Sequence, residues 1–313
     1  MRRVVVTGAD SMIGTALIRE CVKNNVEVLA IVRKNCTKLG RLPKSEQVRV
    51  ALCNLEELDA MAGIAKMGND EKAYDVFYHF AWAHTQKESR DNPVLQEENI
   101  RYTLSAVKLA HRLGCKKFIG AGSQAEYGRV EHVITPDTPV HPQTCYGTAK
   151  YAAGNLSRKL CIQYDIVHIW ARIFSVYGIY DNEETMLSYA IKQFFKGEPA
   201  EFSSAVQMWD YLYEDDAGKI FYLLGQRAEE NKVYCVANGN YRPLKEYIKE
   251  LQQAYGGGAI CRFASGHNQM SAGLQPDVSS LRQDIEYQPQ TAFREGIMKI
   301  IQHRKKMYDT MKE

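Results

Sequence analysis

Short hydrophobic runs alternate with stretches of mixed polarity through the first half of the chain. The runs are rich in β-branched residues and predict six strands, at 4–6, 27–33, 48–52, 74–81, 117–122 and 166–174. Helical spacing of apolar residues between some of these runs predicts helices over 15–23, 99–113 and 146–164. Strands separated by helices indicate βαβ units and a parallel sheet that helices cover on both faces. Such a sheet binds ligands beyond the carboxyl ends of its strands.

The pattern becomes less regular after Gly178. It predicts helices over 186–196, 216–224, 243–255 and 291–307, with short strands over 209–213 and 233–236. The sequence has no internal repeat and no low-complexity linker. We therefore expect a doubly wound α/β domain over 1–178 and a smaller mixed α/β region over 179–313, with some exchange of strands and helices between them.

Composition and charge narrow the class of protein. Of 313 residues, 45% are hydrophobic and 25% are charged, as is usual for a globular protein of one or two domains. A net charge of +3 gives no reason to expect a nucleic-acid partner. No signal peptide precedes the first strand, and no apolar stretch approaches the roughly 20 residues that span a bilayer. We expect a cytoplasmic protein without a membrane partner.

The spacing of the cysteines is typical of a protein in a reducing compartment. All 8 are scattered without a CxxC pair. Cys53, Cys161 and Cys235 stand inside apolar runs, where buried free thiols are expected rather than disulfides or a zinc site. We therefore expect no metal.

The first candidate for a ligand site follows the first strand. The segment Thr7-Gly8-Ala9-Asp10-Ser11-Met12-Ile13-Gly14 predicts a glycine turn that leads into a helix. Gly8 permits the sharp turn, and Gly14 lets the helix pack close to the strand. Backbone N–H groups at a helix N-terminus bind a pyrophosphate without a charged side chain. The turn therefore predicts a dinucleotide site at Gly8 and at Ser11, Met12, Ile13 and Gly14.

The end of the second strand indicates which dinucleotide is bound. An acidic residue there would bind the ribose 2′-hydroxyl of NAD, whereas an arginine accommodates the 2′-phosphate of NADP. This chain has Arg33, and Lys34 adds a second cation. An exposed basic turn is the alternative interpretation. We expect NADP(H) to be favoured over NAD(H).

Tyrosine and lysine stand four residues apart three times. The pairs are Tyr146/Lys150, Tyr241/Lys245 and Tyr308/Lys312. The second pair contains Pro243, and the third lies at the C-terminal end. The first pair lies on the helix between the fifth and sixth strands, and Ser123 stands just past the fifth strand. Residues four apart share a helix face, so Tyr146 and Lys150 are predicted to project together toward Ser123.

These three side chains suit oxidation or reduction at a carbon–oxygen bond. A tyrosine with a pKa near ~10 is a poor acid or base at neutral pH, and a nearby ammonium lowers that pKa. Lys150 is predicted to supply this charge and to reach the ribose of a nicotinamide cofactor. Ser123 can donate to the same substrate oxygen while hydride arrives at its carbon.

With these residues the sequence resembles the extended short-chain dehydrogenase/reductase family, of the nucleotide-sugar epimerase/dehydratase type. The matching positions are Thr7-Gly8 with Gly14, His79-Phe80-Ala81, Asn99, Gly122-Ser123, Ala125–Gly128, Tyr146 with Lys150, Arg172, Val176–Gly178 and Asp215–Ala217. They span nearly the whole chain in the family's order. The resemblance implies a Rossmann-like domain over 1–178, a tightly held NAD(P), and a nucleotide-sugar substrate bound by the region over 179–313.

The resemblance adds further contacts to the cofactor. It assigns Phe80 and Ala81 to the cofactor site, and Asn54 occupies a position where the family usually has an aspartate near the adenine. Ser11 replaces the central glycine of the family's turn. Its side chain is small, and its hydroxyl can donate to phosphate.

The end of the fifth strand bears on the reaction. Dehydratases of this family usually carry threonine and then Asp-Glu there, and the carboxylates perform the elimination. Ser123-Gln124-Ala125 cannot exchange protons in that way, and Glu126 is interpreted as structural. A reductase that releases oxidised cofactor and a 4-epimerase that retains its cofactor remain as enzymatic alternatives. A non-catalytic NADP-binding redox sensor or scaffold is the third.

Net reduction fits a preference for NADPH, and the stretch Gly122–Gly128 resembles that of reductases that make deoxysugars on CDP. We therefore predict an NADPH-dependent reductase of a CDP- or dTDP-linked 4-keto-6-deoxysugar. In this hypothesis Tyr146 protonates the C4 oxygen, Ser123 orients it, and Lys150 tunes Tyr146 and fixes the cofactor.

Substrate contacts are predicted along the cleft. They are His84, Gln124, Phe174, Ser175, Asn182 and Trp209, with Trp82 and Ala83 at the same strand end as His84. The family often has a basic residue near Trp209, where an aromatic ring would stack rather than pair with phosphate. Asn99 is predicted to support the site through backbone hydrogen bonds.

A homodimer is expected from the same resemblance. Members of the family commonly dimerise through the helices that flank the fifth strand, here 99–113 and 146–164. The second helix carries Ala152, Leu156 and Leu160 on the face away from Tyr146, and this face suits a dimer seam or core packing.

Overall fold

A seven-stranded parallel sheet forms the centre of the protein. The computed structural model describes residues 1–61, 73–228, 230–265 and 273–310, and the strands of this sheet lie in the order β11-β6-β5-β4-β1-β2-β3. Their bounds are β1 Arg3–Thr7, β2 Glu27–Val32, β3 Val48–Leu52, β4 Val76–His79, β5 Lys117–Ser123, β6 Val167–Ile173 and β11 Lys232–Val236. Neighbouring strands pair in parallel throughout. The predicted α/β fold with a parallel sheet is confirmed.

The described α-helices flank this sheet and build the C-terminal region. They are α1 Met12–Lys23, α2 Lys87–Arg90, α3 Pro93–Arg112, α4 Cys145–Gln163, α5 Met186–Lys196, α6 Glu214–Arg227, α7 Leu244–Tyr255, α8 Ser279–Ile285 and α9 Phe293–Thr310. Among the described residues, 3-10 helices span Leu39–Arg41, Leu55–Met61 and Gln124–Glu126.

The core lies on both faces of the sheet. Val4, Val5 and Val6 of β1 have no exposed surface, which explains why this strand is a continuous apolar run rather than an alternating one. On one face, Val4 and Val6 belong to a cluster with residues of α1 and α6. On the other face, Val5 belongs to a cluster with residues of α3 and α4.

The strand order reverses beside β1. This strand pairs with β2 on one side and with β4 on the other, so the chain crosses over the sheet between β3 and β4. The carboxyl ends of β1 and β4 therefore border the crevice in which sheets of this kind bind ligands.

Local capping signals fix the starts of the helices that border this crevice. Ser11 caps α1, because its Oγ accepts the Gly14 N–H at 3.0 Å. Thr144 caps α4 in the same way, accepting the Gly147 N–H at 3.1 Å. Hydroxyl side chains at this position satisfy an N–H group that the helix leaves unpaired.

Short strands from residue 176 onward complete the fold. They are β7 Val176–Tyr177, β8 Ala200–Phe202, β9 Met208–Trp209, β10 Leu212–Tyr213, β12 Arg242–Pro243 and β13 Cys261–Phe263. They form three two-stranded pairs, β10 with β7, β12 with β9 and β13 with β8. The strand β11 comes from this part of the sequence but joins the central sheet beside β6.

One predicted strand is broken in the structure. The sequence predicts one strand over 209–213, but the chain forms β9 and β10 with Asp210 between them. Asp210 has no exposed surface, and its carboxylate accepts the N–H groups of Asn238 at 2.7 Å and Gly239 at 2.6 Å. These hydrogen bonds turn the chain inward. The short helices α2 and α8 were also absent from the predicted pattern.

Other expectations can be compared with the described residues. Cys53, Cys161 and Cys235 are buried free thiols, as predicted. Within the part of the chain that the structure describes, no helix has the length and hydrophobicity needed to cross a membrane. Lys312, of the third Tyr-x-x-x-Lys pair, lies outside the described residues.

Candidate active site

The glycine turn brings β1, α1 and the end of β4 into close contact. Gly8 has a φ of +66°, and a Cβ there would lie 2.7 Å from the backbone nitrogen of Ala81. A Cβ on Gly14 would lie 2.4 Å from the Gly8 carbonyl oxygen. The left-handed backbone and the close approaches explain why both positions are glycine.

The turn also leaves donors for an anion. Met12 and Ile13 are the first residues of α1, where N–H groups have no acceptor inside the helix. The Gly14 N–H is taken by Ser11 Oγ, but the Ser11 hydroxyl keeps its own proton for donation. A pyrophosphate at this point would meet the backbone of Met12 and Ile13 and the Ser11 hydroxyl.

A cavity of about 640 Å³ opens above the turn, at the reversal of strand order. The predicted cofactor residues that line it are Gly8, Ser11, Arg33, Asn54, Phe80 and Ala81. Its volume falls in the range of about 300–1,000 Å³ that is usual for cofactor sites. The turn, the donors and the cavity together fit a dinucleotide.

Arg33 and Lys34, the two cations predicted to bind the cofactor, have different surroundings. Arg33 is exposed and lines the cavity, whereas the Lys34 ammonium forms an ion pair with Glu57. The Lys34 N–H donates to Asn54 Oδ1 at 3.1 Å. The lining of the cavity also includes two acidic residues, Asp10 and Glu56. Arg33 therefore supplies positive charge at the cavity wall, and Glu57 engages the Lys34 ammonium.

Ser123, Tyr146 and Lys150 come together at the carboxyl end of β5. Ser123 ends the strand, and its side chain lies close enough to the Tyr146 phenol to lower the pKa of that phenol. Tyr146 and Lys150 lie one turn apart on α4. The Lys150 ammonium is 5.8 Å from the centroid of the Tyr146 ring, and it donates to the Ala121 carbonyl at 2.7 Å.

The groups around the phenol act on its pKa in opposite directions. Burial raises the pKa of the Tyr146 phenol above its ordinary value, and the Arg90 guanidinium opposes this rise. The Ser123 side chain also lowers this pKa. Burial lowers the pKa of Lys150 to about 7, although the Glu126 carboxylate opposes this shift.

Trp82 and Arg90 complete the surroundings of the phenol. The Trp82 ring meets Tyr146 edge to face at 5.9 Å, and the Lys150 ammonium lies 3.6 Å from the Trp82 centroid. The Arg90 guanidinium lies 4.1 Å from the Tyr146 centroid. Topology predicts Trp82 near the cleft, but no sequence pattern points to Arg90, because α2 is too short to show a periodicity.

Glu126 is a structural carboxylate, as interpreted from the sequence. It has no exposed surface and accepts from the Ser123 N–H at 2.8 Å, Trp170 Nε1 at 2.9 Å and Arg172 Nε at 2.8 Å. With both oxygens engaged, Glu126 fixes the backbone of Ser123 and pairs with a buried guanidinium.

Two amide side chains of α3 hold the segment that follows β4. Asn99 accepts the Ala83 N–H at 2.7 Å and donates to the Ala83 carbonyl at 3.1 Å, which confirms its predicted supporting contacts. Gln96 is 1% exposed. It accepts from Trp82 Nε1 at 3.0 Å and donates to the His84 carbonyl at 2.9 Å. These hydrogen bonds therefore fix the backbone of the segment that follows β4.

Two of the predicted substrate residues line cavities. His84 lines the 640 Å³ cavity, with its Nε2 3.2 Å from Glu98 Oε2. Asn182 lines a separate cavity of about 360 Å³ together with Arg90 and Thr144.

The other predicted substrate residues make structural contacts. Phe174 is 6% exposed and lies in the core beside Tyr127, because the chain turns inward after β6. The Ser175 carbonyl accepts the Leu212 N–H at 3.0 Å. Gln124 begins the 3-10 helix after β5. Trp209 is half-buried beside Tyr211, with 6.4 Å between the ring centroids. Of these four, the structure removes Phe174 from the cleft.

The fold and the site define an NAD(P)-dependent enzyme of the extended short-chain dehydrogenase/reductase type. Its marks are the parallel sheet, the glycine turn below a cavity, and Ser123, Tyr146 and Lys150 at the end of β5. A sequence model described as the NAD dependent epimerase/dehydratase family matches residues 4–237. The chain belongs to this family, whose members bind a nicotinamide cofactor.

Curated relatives match along almost their whole length. The chain is 20% identical to a dTDP-glucose 4,6-dehydratase of Neisseria meningitidis, over 96% of this chain and 93% of that protein. It is also 20% identical to a dTDP-4-dehydro-6-deoxyglucose reductase of Escherichia coli, over 95% and 96% of the two chains. These two relatives are thus named for different reactions, although each is 20% identical to this chain.

Solved structures confirm the fold. A UDP-glucose 4-epimerase of Thermotoga maritima, solved with UDP-glucose, superposes with a TM-score of 0.85 at 18% identity and covers 98% of this chain and 99% of its own. A UDP-glucuronic acid 4-epimerase of Bacillus cereus, solved with NAD, gives a TM-score of 0.83 at 19% identity, with the same coverage of 98% and 99%.

Proposed function

We propose that this protein reduces the 4-keto group of a nucleotide-linked 6-deoxysugar with NADPH. The observation that carries this proposal is the chemistry at the end of β5, where Ser123 and Tyr146 lie together beside Lys150. The carboxylate nearest in sequence, Glu126, is buried and engaged by three donors. Elimination of water needs an acid and a base beyond the tyrosine, whereas a carbonyl reduction needs one proton donor.

The side chains divide the work of this reaction. Residues of the glycine turn and of the cavity wall would hold the nicotinamide dinucleotide, which supplies hydride when bound. They are Gly8, Ser11, Met12, Ile13, Gly14, Arg33, Asn54, Phe80 and Ala81. Ser123 donates to the substrate oxygen and orients it. Tyr146 gives its proton to the same oxygen as negative charge develops there. Lys150 would contact the ribose of the bound cofactor, and its hydrogen bond to the Ala121 carbonyl holds α4 toward the cleft.

NADPH is proposed over NADH because Arg33 provides a cation at the cavity wall. An arginine after the second strand accommodates a 2′-phosphate. Asp10 lines the same cavity and would repel a phosphate placed against it, so the preference depends on the phosphate lying on the Arg33 side. Steady-state rates with NADPH and NADH measure this preference directly.

A 4-epimerase is the second candidate. The 4-epimerases of Thermotoga maritima and Bacillus cereus share the whole fold with this chain, and an epimerase would use the same three side chains. The two reactions differ in what happens to the cofactor, because an epimerase restores it in each turnover and a reductase consumes it.

The test supplies NADPH with CDP- and dTDP-linked 4-keto-6-deoxysugars and follows the loss of nicotinamide absorbance. Stoichiometric loss of NADPH with formation of the 4-hydroxy sugar supports the reductase. Tyr146→Phe is the control and is expected to lose about 100-fold or more in kcat. If no keto sugar consumes NADPH while a UDP-sugar alcohol is epimerised, the protein is the epimerase instead.

We also propose that residues 1–178 bind the cofactor and residues 179–313 the sugar, with β11 contributed back to the sheet. The expected homodimer would form through α3 and α4. The exposed apolar side chains of α4 include Tyr151, Leu156 and Ile162, whose exposed fractions are 37%, 44% and 58%. Apolar side chains of this exposure on one helix suit a covered surface.

A further inference from the structure

A guanidinium lies against the proton-donating tyrosine. The Arg90 Cζ is 4.1 Å from the centroid of the Tyr146 ring, compared with 5.8 Å for the Lys150 ammonium. Arg90 also lines the 360 Å³ cavity with Thr144 and Asn182. A cation in this position stabilises the negative charge of a phenolate.

Contacts with two other helices hold the residues on either side of Arg90. The next residue, Asp91, accepts the N–H of Cys145 at 2.7 Å, directly before Tyr146 on α4. The residue before Arg90 is Ser89, and its carbonyl accepts from Gln96 Nε2 of α3 at 3.2 Å. The short helix α2 is therefore fastened to α3 on one side and to the start of α4 on the other.

Lys150 has other contacts in the same place. Its ammonium donates to the Ala121 carbonyl at 2.7 Å and lies over Trp82. Arg90 therefore adds a second cation beside the Tyr146 ring, and a guanidinium stays protonated over the pH range in which a tyrosine titrates.

We infer that Arg90 is a second cationic partner of Tyr146, in addition to Lys150, and acts as a positioning residue for its proton transfer. The O–H bond of Tyr146 breaks, the proton passes to the substrate oxygen, and Arg90 stabilises the phenolate that remains. The role in proton transfer rests on the proposed function, but the charge pairing does not.

The other charged groups around the phenol do not replace Arg90. Glu126 raises the pKa of Tyr146 and is engaged by its own donors. Asp91 is a carboxylate that binds the Cys145 N–H, and Glu184 lines the 360 Å³ cavity. Both would disfavour a phenolate if they approached it. These groups and Lys150 lie on α2, α4, the 3-10 helix after β5 and the loop before α5.

The test is a titration of Tyr146 itself, in cofactor-free protein and without substrate. Tyrosine labelled with ¹³C at Cζ gives one resonance for each ring, and Tyr146→Phe assigns the one of interest. Because Arg90 is exposed and solvent screens its charge, Arg90→Gln is expected to raise the pKa of Tyr146 by about half a unit. Arg90→Lys is expected to recover most of this shift.

A matched control removes an equivalent guanidinium elsewhere. Arg41 lies 4.3 Å from the centroid of the Tyr180 ring, and Arg41→Gln is expected to leave the titration of Tyr146 as in the wild type. Rising salt, which screens exposed charges, is expected to raise the pKa of Tyr146 in the unmodified protein. This measurement needs no variant.

The outcomes separate the pairing from the reaction. An unchanged Tyr146 titration in Arg90→Gln, or a raised KM with the titration unmoved, overturns the inference. A shifted titration in a protein that reduces no keto sugar leaves the pairing intact and defeats the proposed function. In a protein that is active, the alkaline limb of the kcat/KM profile is expected to move with the titration.

Discussion

Replacing Glu126 with glutamine is expected to destabilise the protein strongly. Glu126 has no exposed surface and its partner Arg172 is 6% exposed, with 2.8 Å between the Arg172 Nε and the carboxylate. Glutamine keeps the volume but removes the charge and turns an N–H₂ group toward one of the three donors. A buried guanidinium without its counter-ion costs about 3–5 kcal/mol.

The assay is urea unfolding of the cofactor-free protein at pH 7. Glu126→Gln is expected to lower the free energy of unfolding by about 3 kcal/mol with an unchanged dependence on urea. The matched control is Glu201→Gln, which breaks the pair with Arg262 at 3.2 Å, where both side chains are more than half exposed. Solvent screening limits the control to about 1 kcal/mol or less.

A double variant tests the cause. Glu126→Leu combined with Arg172→Met removes both charges, and it is expected to be more stable than Glu126→Gln because no uncompensated charge remains. The account of a buried ion pair beside Ser123 is refuted by either of two results. One is that Glu126→Gln lowers the free energy of unfolding by less than about 1 kcal/mol. The other is that the double variant is less stable than both Glu126→Gln and Glu201→Gln.

Other predictions address the cofactor site, the buried lysine and the dimer. Gly8→Ala places a Cβ 2.7 Å from the Ala81 nitrogen, and fluorescence titration should show loss of NADPH binding with destabilisation of about 1–3 kcal/mol. Because folding lowers the pKa of Lys150 to about 7, the unfolded state binds the extra proton above that pH. The free energy of unfolding of wild type relative to Lys150→Met should therefore rise from pH 7 toward pH 10, and a flat difference in urea unfolding contradicts this. Arg33→Ser should raise the KM for NADPH about 10-fold or more with little change for NADH. Leu156→Glu on the exposed face of α4 should give a monomer in sedimentation velocity, and an unchanged sedimentation coefficient would count against the proposed interface.

Some elements were predictable because their signals are local. The helix predicted over 186–196 has these bounds in the structure. Thr185 caps its N-terminus and Gly197 adopts a φ of +72° at its C-terminal cap. Both signals act within a few residues of the helix end, so the sequence alone carries them.

Elements that depend on distant partners were predicted less well. The chain breaks between β9 and β10 because Asp210 binds backbone groups of Asn238 and Gly239. The helix α2 has four residues and is held by Gln96 and Asp91. Neither interaction leaves a periodic pattern near the residues whose conformation it fixes.

The sequence by itself determined the parallel α/β fold, the glycine turn and the grouping of Ser123, Tyr146 and Lys150. These follow from hydrophobic periodicity, from a backbone conformation that glycine favours, and from the meeting of strand ends at one edge of a sheet. Only the tertiary structure decided that Arg90 lies against the Tyr146 ring, that Lys150 is buried, and that Lys34 pairs with Glu57. The physical reason is that charge and burial depend on which distant side chains surround a group, and spacing along the chain does not encode those neighbours.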